Sequence, residues 1–448
     1  MHRTSIAVLL IVFASFASWS CQQTYNPVTG EYERTIYDRQ QEIEVGANTY
    51  PRMIQLSQGR LEDPKLDAYL DELGNQLARV SHDPFFDYEF TVVNDSAPNA
   101  WALPGGKIAV TRGLLMEMKS EGQLAAVLGH EITHVTGRHS AKQQTRALPT
   151  QLLLLAGSIA VTQVSDGQMS DVGRIVVGAG TIGAQLYLAS YSREHEREAD
   201  QHGQVYMARA GYDPEGMVEL HQLFQGLRQR EPSAVEIWFS SHPAPGDRIR
   251  MAQQNAPTVR SQVDIPKGEQ LNKFEERVVK TWHPREDAYD RMDEGMTAFK
   301  EGEYRQALQS FQEAKNKYDG EPLFDAWMGM AHANLQNQSS AQKHIQRALN
   351  DRPDLFHVRM MAGQIYMEGK AYQTSNKHLL AAKELVDVVP AIDFFVGRNH
   401  EQLGNRSEAS KYYRSYLNKT QQGEKAQYAA QQLQRWHGSK NGSNGQPQ

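Results

Sequence analysis

Within residues 121–140, EGQLAAVLGHEITHVTGRHS, His130 and His134 lie four positions apart and Glu131 directly follows the first. On an α-helix that spacing puts both imidazoles on one face, where a single Zn2+ can take a nitrogen from each at about 2.0–2.1 Å. Glu131 is rotated by one residue, so its carboxylate can flank the open side of the metal and take a proton from a bound water. Zinc lowers the pKa of such a water to about 7, which makes hydroxide available for attack on a peptide carbonyl. The competing explanation is a surface helix with two solvated histidines. Leu124, Val127, Leu128 and Ile132 argue against it, because they place the stretch in the wall of a core.

Two histidines do not complete a site. A third histidine at the spacing HExxHxxGxxH would fall on position 140, which is Ser140, and His139 is one residue short. The third ligand must come from farther along, and the segment Ser192 to Asp200, SREHEREAD, is the best source. Glu196 and Asp200 are four apart and share a helical face. That suits one carboxylate on the metal and a second behind it, orienting an imidazole through its far N–H. Glu194, His195 and Glu198 are rivals that spacing alone does not separate, and a solvated charged helix is the commoner fate of such a run.

The elements that must hold these residues belong to a mainly α chain with a small β-sheet. Its 448 residues allow roughly three domains. Hydrophobic residues make up 40% and charged residues 22%, an ordinary globular balance. A formal charge of −6 excludes a basic nucleic-acid-binding surface. No apolar run reaches the ~18–20 residues of a membrane-spanning helix. One cysteine rules out an intramolecular disulfide.

Residues 1–20 read as a signal peptide, with Arg3 followed by an apolar core from Ile6 to Phe16. Cys21 follows Ser18-Trp19-Ser20, and two exits compete there: lipidation of Cys21, or plain cleavage after Ser20. Either delivers the mature chain outside the cytoplasm. The metal-binding region fills 21–265, and 266–287 reads as a linker. A self-similar helical region covers 288–436, and the polar, glycine-rich residues 437–448 read as a disordered tail. In the helical region Gly295, Gly329, Gly363 and Gly397 recur every 34 residues, and so do Phe311, Ile345, Leu379 and Tyr413. That period, with small residues at fixed positions, is the helix–turn–helix signature of about four tetratricopeptide repeats. Such an array offers a concave groove to protein partners and has no chemistry of its own.

HEITH followed about 60 residues later by SREHEREAD resembles the gluzincin family of the CAAX prenyl proteases and HtpX heat-shock proteases. The segment Asn99 to Gly113, NAWALPGGKIAVTRG, is similar to the family's stretch before the zinc helix. Ser241-His242-Pro243 with Arg248 resembles its late His-Pro motif. With the repeats added, the mature chain resembles the family's periplasmic β-barrel assembly-enhancing type. The resemblance implies an α+β zincin-type metallopeptidase domain followed by an all-α repeat solenoid. It also implies one Zn2+ on His130, His134 and Glu196, with Glu131 as general base. Asp200 and Arg248 would stand behind the ligands, and His242 would either stabilise the oxyanion or ligate zinc as a self-inhibiting switch. Gly105-Gly106 permits a tight turn, and by resemblance Lys107, Ile108 and Ala109 form a sheet edge that binds substrate backbone.

The expected activity is an envelope endopeptidase acting on misfolded or stalled outer-membrane proteins. Its repeats would dock clients or the outer-membrane β-barrel assembly machinery, and Cys21 would tie it to the outer membrane. The competing reading is a periplasmic chaperone or scaffold whose zinc site is latent or structural. A prenyl-protein protease would need a membrane chamber that the chain lacks. Leu152–Val161 and Ile175–Leu188, apolar stretches between the ligand motifs, are expected to form a buried helical pair or a lid over the cleft. If Cys21 is acylated, palmitate fed to expressing cells labels the protein and not Cys21→Ala; label in neither leaves plain cleavage after Ser20.

Overall fold

The computed structural model describes residues 22–143, 191–230, 235–242, 247–266 and 270–438. Cys21, both apolar stretches between the ligand motifs and residues 439–448 of the tail lie outside the described residues. The chain opens with an antiparallel hairpin, β1 (Gln22–Asn26) and β2 (Glu31–Thr35). α1 (Arg39–Leu56) starts from a reciprocal capping box, in which the Gln41 N–H donates to Asp38 at 2.8 Å and the Asp38 N–H donates to Gln41 at 2.9 Å. Asp63 caps α2 (Pro64–Arg79), whose Leu66, Leu70, Leu73 and Leu77 recur at helical spacing and are all buried.

A three-stranded sheet follows, of β3 (Glu89–Val93), β4 (Ala100–Leu103) and β5 (Lys107–Thr111). Its order is β3-β5-β4, with β5 parallel to β3 and antiparallel to β4. Gly105 and Gly106 close the β4–β5 turn at φ of +78° and +85°, a region only glycine enters without strain. The expectation of a sheet edge at Lys107, Ile108 and Ala109 is corrected here. β5 is the central strand, with backbone paired on both sides, and β4 takes the edge.

After the short α3 (Arg112–Glu117), α4 (Glu121–Thr136) carries HEITH and is buried from Gln123 to its end. It packs on β4 and on two later helices, α5 (Arg193–Arg209) and α6 (Glu215–Arg230). α7 (Glu236–Ser241) and α8 (Arg248–Gln262) complete this unit, α8 lying against α5 and α6. Residues 270–287, expected to be linker, instead pack: Phe274, Val278 and Trp282 are buried, and the Trp282 indole donates to Asp63 at 3.0 Å.

The repeats are four helix pairs: α9 (Glu286–Lys300) with α10 (Tyr304–Lys317), α11 (Pro322–Asn334) with α12 (Gln338–Asp351), α13 (Phe356–Glu368) with α14 (Tyr372–Leu385), and α15 (Ala391–Gln402) with α16 (Arg406–Lys419). α17 (Glu424–Gly438) packs on α16. The 34-residue columns meet inside the pairs. A methyl group on Gly295 would fall 2.5 Å from Phe311, on Gly363 2.5 Å from Leu379, and on Gly397 2.8 Å from Tyr413. Each glycine thus clears the space its large partner fills.

The array also docks on the first unit. Gln55 of α1 brackets the start of α13, donating to the Asp354 carbonyl at 3.0 Å and accepting from the Phe356 N–H at 2.8 Å. Glu321 accepts from Asn94 at 2.8 Å and from the Tyr289 hydroxyl at 3.0 Å, and the Arg112 guanidinium lies 3.7 Å over the Tyr289 ring. Apolar side chains from both units form one continuous core.

Asp293 of α9 is half-buried at this joint, where desolvation pushes its carboxyl up to about 6 although the charge of Arg112 pulls the other way. In an unfolded chain the group titrates near 3.9. Between about pH 4 and pH 6 the unfolded form therefore loses its proton while the folded form keeps it, and stability falls as pH rises. Asp293→Asn should remove that slope and stabilise the chain at pH 7 by on the order of 1–3 kcal/mol. Denaturant titrations of both proteins at pH 4 and pH 7 check this, and equal midpoints at pH 7 would refute it.

Candidate metal centre

Three segments far apart in sequence converge on one buried point. α4 brings His130, Glu131 and His134, α5 brings Glu196 and Asp200, and the end of α7 brings His242. The two long helices meet backbone to backbone. A methyl group on Gly203 would lie 3.0 Å from the His130 nitrogen, and one on Gly129 would lie 3.0 Å from the Gly203 carbonyl. This close crossing lets the short Glu196 side chain reach the imidazoles of the neighbouring helix.

Four ligand-capable atoms face one another. His130 Nε2 is 3.0 Å from His134 Nε2 and 3.3 Å from His242 Nδ1. Glu196 Oε1 is 3.1 Å from His242 Nδ1 and 3.4 Å from His134 Nε2. A tetrahedral ion with bonds of 2.0–2.1 Å needs ligand atoms about 3.3 Å apart, so these separations fit a zinc-sized ion. His130, His134, Glu196 and His242 are the only such group among the described residues. Burial pushes the His130 imidazole down to about 4, and it likewise holds His134 well below its ordinary value. Both rings are then neutral and have a lone pair to give.

Behind the ligands stands Arg248, at the start of α8. It donates to Asp200 from Nε at 2.7 Å and from Nη2 at 2.6 Å, and to Glu196 from Nη1 at 2.7 Å. Burial alone would raise both carboxyls, but Arg248 together with His242 at Glu196 and His221 at Asp200 holds them well below the carboxylate range. Asp200 in turn lies 3.0 Å from His130 Nδ1, on the far side of the ring from the other ligand-capable atoms. The sequence pairing of Glu196 with Asp200 is thus realised, and Glu194 points elsewhere, to an exposed face.

Glu131 is fully buried, and neither of its oxygens has a hydrogen-bond partner among the described residues. Burial pushes it up to about 7. Its nearest ionisable neighbour is His242, whose Nε2 lies 3.6 Å away. An orphaned carboxylate in a core is costly unless something occupies the space before it.

Several contributors were not found by spacing. The Tyr191 ring stacks on His134 at 3.7 Å, and its hydroxyl shares a hydrogen bond with Ser140 at 2.9 Å. Trp238 stacks on His242 at 4.2 Å and is backed by Phe224 at 4.1 Å. His221 Nε2 lies 3.0 Å from Asp200. His139 lies behind His134. Lys107, Ile108 and Ala109 are not among the site residues.

Residues 64–256 match the model of peptidase family M48, and that interval holds every ligand-capable residue gathered here. The chain therefore carries a family M48 peptidase domain. It is 34% identical over 214 residues to the putative beta-barrel assembly-enhancing protease of Vibrio cholerae, covering 47% of this chain and 43% of that one. Against the beta-barrel assembly-enhancing protease of Escherichia coli strain K12 the identity is 29% over 226 residues, covering 50% and 45%. The mitochondrial metalloendopeptidase OMA1 of Schizosaccharomyces pombe is 32% identical over 191 residues, covering 42% and 52%. The matches span about half the length of these relatives.

Leaving two buried carboxylates without their counter-charge typically costs about 3–5 kcal/mol. Arg248→Leu should destabilise the metal-free protein by that order in denaturant titration, with Arg248→Lys between it and wild type. A leucine variant as stable as wild type would show that the carboxylates find compensation elsewhere.

Proposed function

We propose that this chain, through its family M48 domain, is a zinc-dependent endopeptidase of the bacterial cell envelope, described here in a closed resting arrangement. The observation that carries the reading is Glu131, a buried carboxylate without a hydrogen-bond partner, beside four ligand atoms at tetrahedral separations. His130, His134 and Glu196 would hold the ion. Zinc bound there would supply Lewis-acid polarisation of a water and of the scissile carbonyl. Glu131 takes the proton of the attacking water and passes it to the departing amine. Burial raises the Glu131 carboxyl above the ordinary carboxylate range and a cation bound beside it would draw it back down, so that it can both take up and release a proton.

His242 fills the fourth corner, and a catalytic zinc needs that position for water. Its withdrawal opens the site. Misfolded or stalled outer-membrane proteins are the proposed clients, on the strength of what the Vibrio and Escherichia relatives are named for. The repeats are the proposed dock for clients or for the assembly machinery. The periplasm is the proposed location, with lipidated Cys21 as an anchor.

One observation favours a second reading, a chaperone or scaffold with an inactive site: four protein ligands close a zinc site in the way structural sites do. A structural site has no use for Glu131, however. Casein cleavage by wild type, Glu131→Gln and His242→Ala, with zinc measured in each, separates the two. The enzyme reading expects slow cleavage by wild type, several-fold faster cleavage by His242→Ala, and a loss of about 100-fold or more in Glu131→Gln with zinc retained. If none cleaves although about one zinc is bound, the scaffold reading replaces it.

A further inference from the structure

His139 is fully buried, and its Nδ1 lies 2.8 Å from His134 Nδ1. On a continuous helix, residues five apart diverge by about 140° and do not face each other. The chain overcomes this by breaking α4 at Gly137 and placing Arg138 in the left-handed region at φ +57°, which is rare for a side-chain-bearing residue. That conformation is held in place. Arg138 donates from Nε to Glu42 at 2.9 Å, from Nη2 to the same carboxylate at 2.5 Å, and from Nη2 to the Tyr37 carbonyl at 3.0 Å. A buried ion pair from α1 thus fixes a strained residue whose effect is to fold His139 back beneath the second histidine of HEITH.

We infer that His139 and Glu198 are positioning residues for the metal centre, forming a relay that fixes the tautomer and aim of His134. The inference rests on the metal-centre reading and deepens it. Nε2 of His134 faces the other ligand atoms, so it must carry a lone pair and the ring proton must sit on Nδ1. That N–H can only donate to His139 Nδ1, which must then be an acceptor, leaving the His139 proton on Nε2. Nε2 in turn faces Glu198 Oε1 at 3.6 Å, an ion-pair separation longer than a hydrogen bond. The direction of each proton follows from the lone pair that His134 Nε2 turns to the other ligand atoms, and the Glu198 charge at the far end favours the same tautomers. His195 stacks on His139 at 4.3 Å with the rings nearly parallel, which fixes the plane of the relay. Asp200 does for His130 what His139 and Glu198 do for His134, so each imidazole has its own backing from α5.

Metal affinity and ligand geometry test this without reference to turnover. Zinc dissociation constants are measured by chelator competition on metal-free full-length protein for wild type, His139→Leu, His139→Asn and Glu198→Ala, and visible spectra are recorded on the cobalt-loaded forms. Removing groups behind a ligand typically costs 10–100-fold in metal affinity. His139→Leu should lose on that order and shift the cobalt bands. His139→Asn, which can keep an acceptor where Nδ1 stands, should recover part of the loss. Glu198→Ala, at the far end of the relay and partly exposed, should weaken zinc several-fold and covers the case in which His139→Leu does not fold. Wild-type affinity and spectra in both His139→Leu and Glu198→Ala would overturn the relay and leave the metal centre standing. Equal losses in His139→Leu and His139→Asn would reduce His139 to packing. Failure of wild type itself to bind zinc would instead overturn the metal-centre reading.

Discussion

Arg248 makes the rest of the centre affordable in free energy. Glu196 and Asp200 are carboxylates in a core, and without positive charge beside them each would shed its own by taking up a proton. A protonated Glu196 would be a poor ligand for a cation, and a protonated Asp200 would accept the His130 N–H without the charge that strengthens the bond. One planar guanidinium satisfies both, with two bonds to Asp200 and one to Glu196. It also fixes the angle between them, so the spacing of Glu196 and Asp200 on α5 becomes a spacing at the metal. The Gly129–Gly203 crossing is the other half of this constraint, since it sets how far Glu196 must reach.

The parts of this arrangement legible in the sequence are those that depend on one helix at a time. His130 with His134, and Glu196 with Asp200, share faces because four residues are close to one helical turn, and the structure keeps both pairings. The 34-residue columns were legible for the same reason, because each glycine and its large partner belong to one helix pair. Strand order was not legible. Lys107–Thr111 alternates as an edge strand would, yet its place between β3 and β4 is decided by pairing with Glu89–Val93, some twenty residues upstream. The packing of residues 270–287 was hidden similarly, because Trp282 finds its partner at Asp63.

His139 failed the test of spacing for a different reason. Periodicity assumes a continuous helix, and the left-handed residue at Arg138 ends that assumption one position before the histidine that matters. The signal was present as a glycine in the last turn followed by an arginine, but reading it needed Glu42, almost a hundred residues earlier. His221, Tyr191 and Trp238 share this character. His221 and Tyr191 reach the centre from other elements, and Trp238, one turn before His242 on α7, takes its meaning only from a ligand that spacing did not supply.

The closed tetrahedron and the orphaned Glu131 pull in opposite directions, and together they describe a restrained enzyme better than either describes a simple one. His242 gains stacking on Trp238, a contact with Glu196 and a place among the ligand atoms, all of which favour closure. It directly follows α7, a helix of only six residues. His130, His134 and Glu196 sit instead on long helices crossed at glycines and braced by Arg248. Three corners are therefore built into the scaffold, and the fourth is held by a handful of reversible interactions. Opening the site costs the stacking and one ligand contact, whereas moving any other corner would break α4 from α5. That asymmetry is what the proposed release at His242 would draw on.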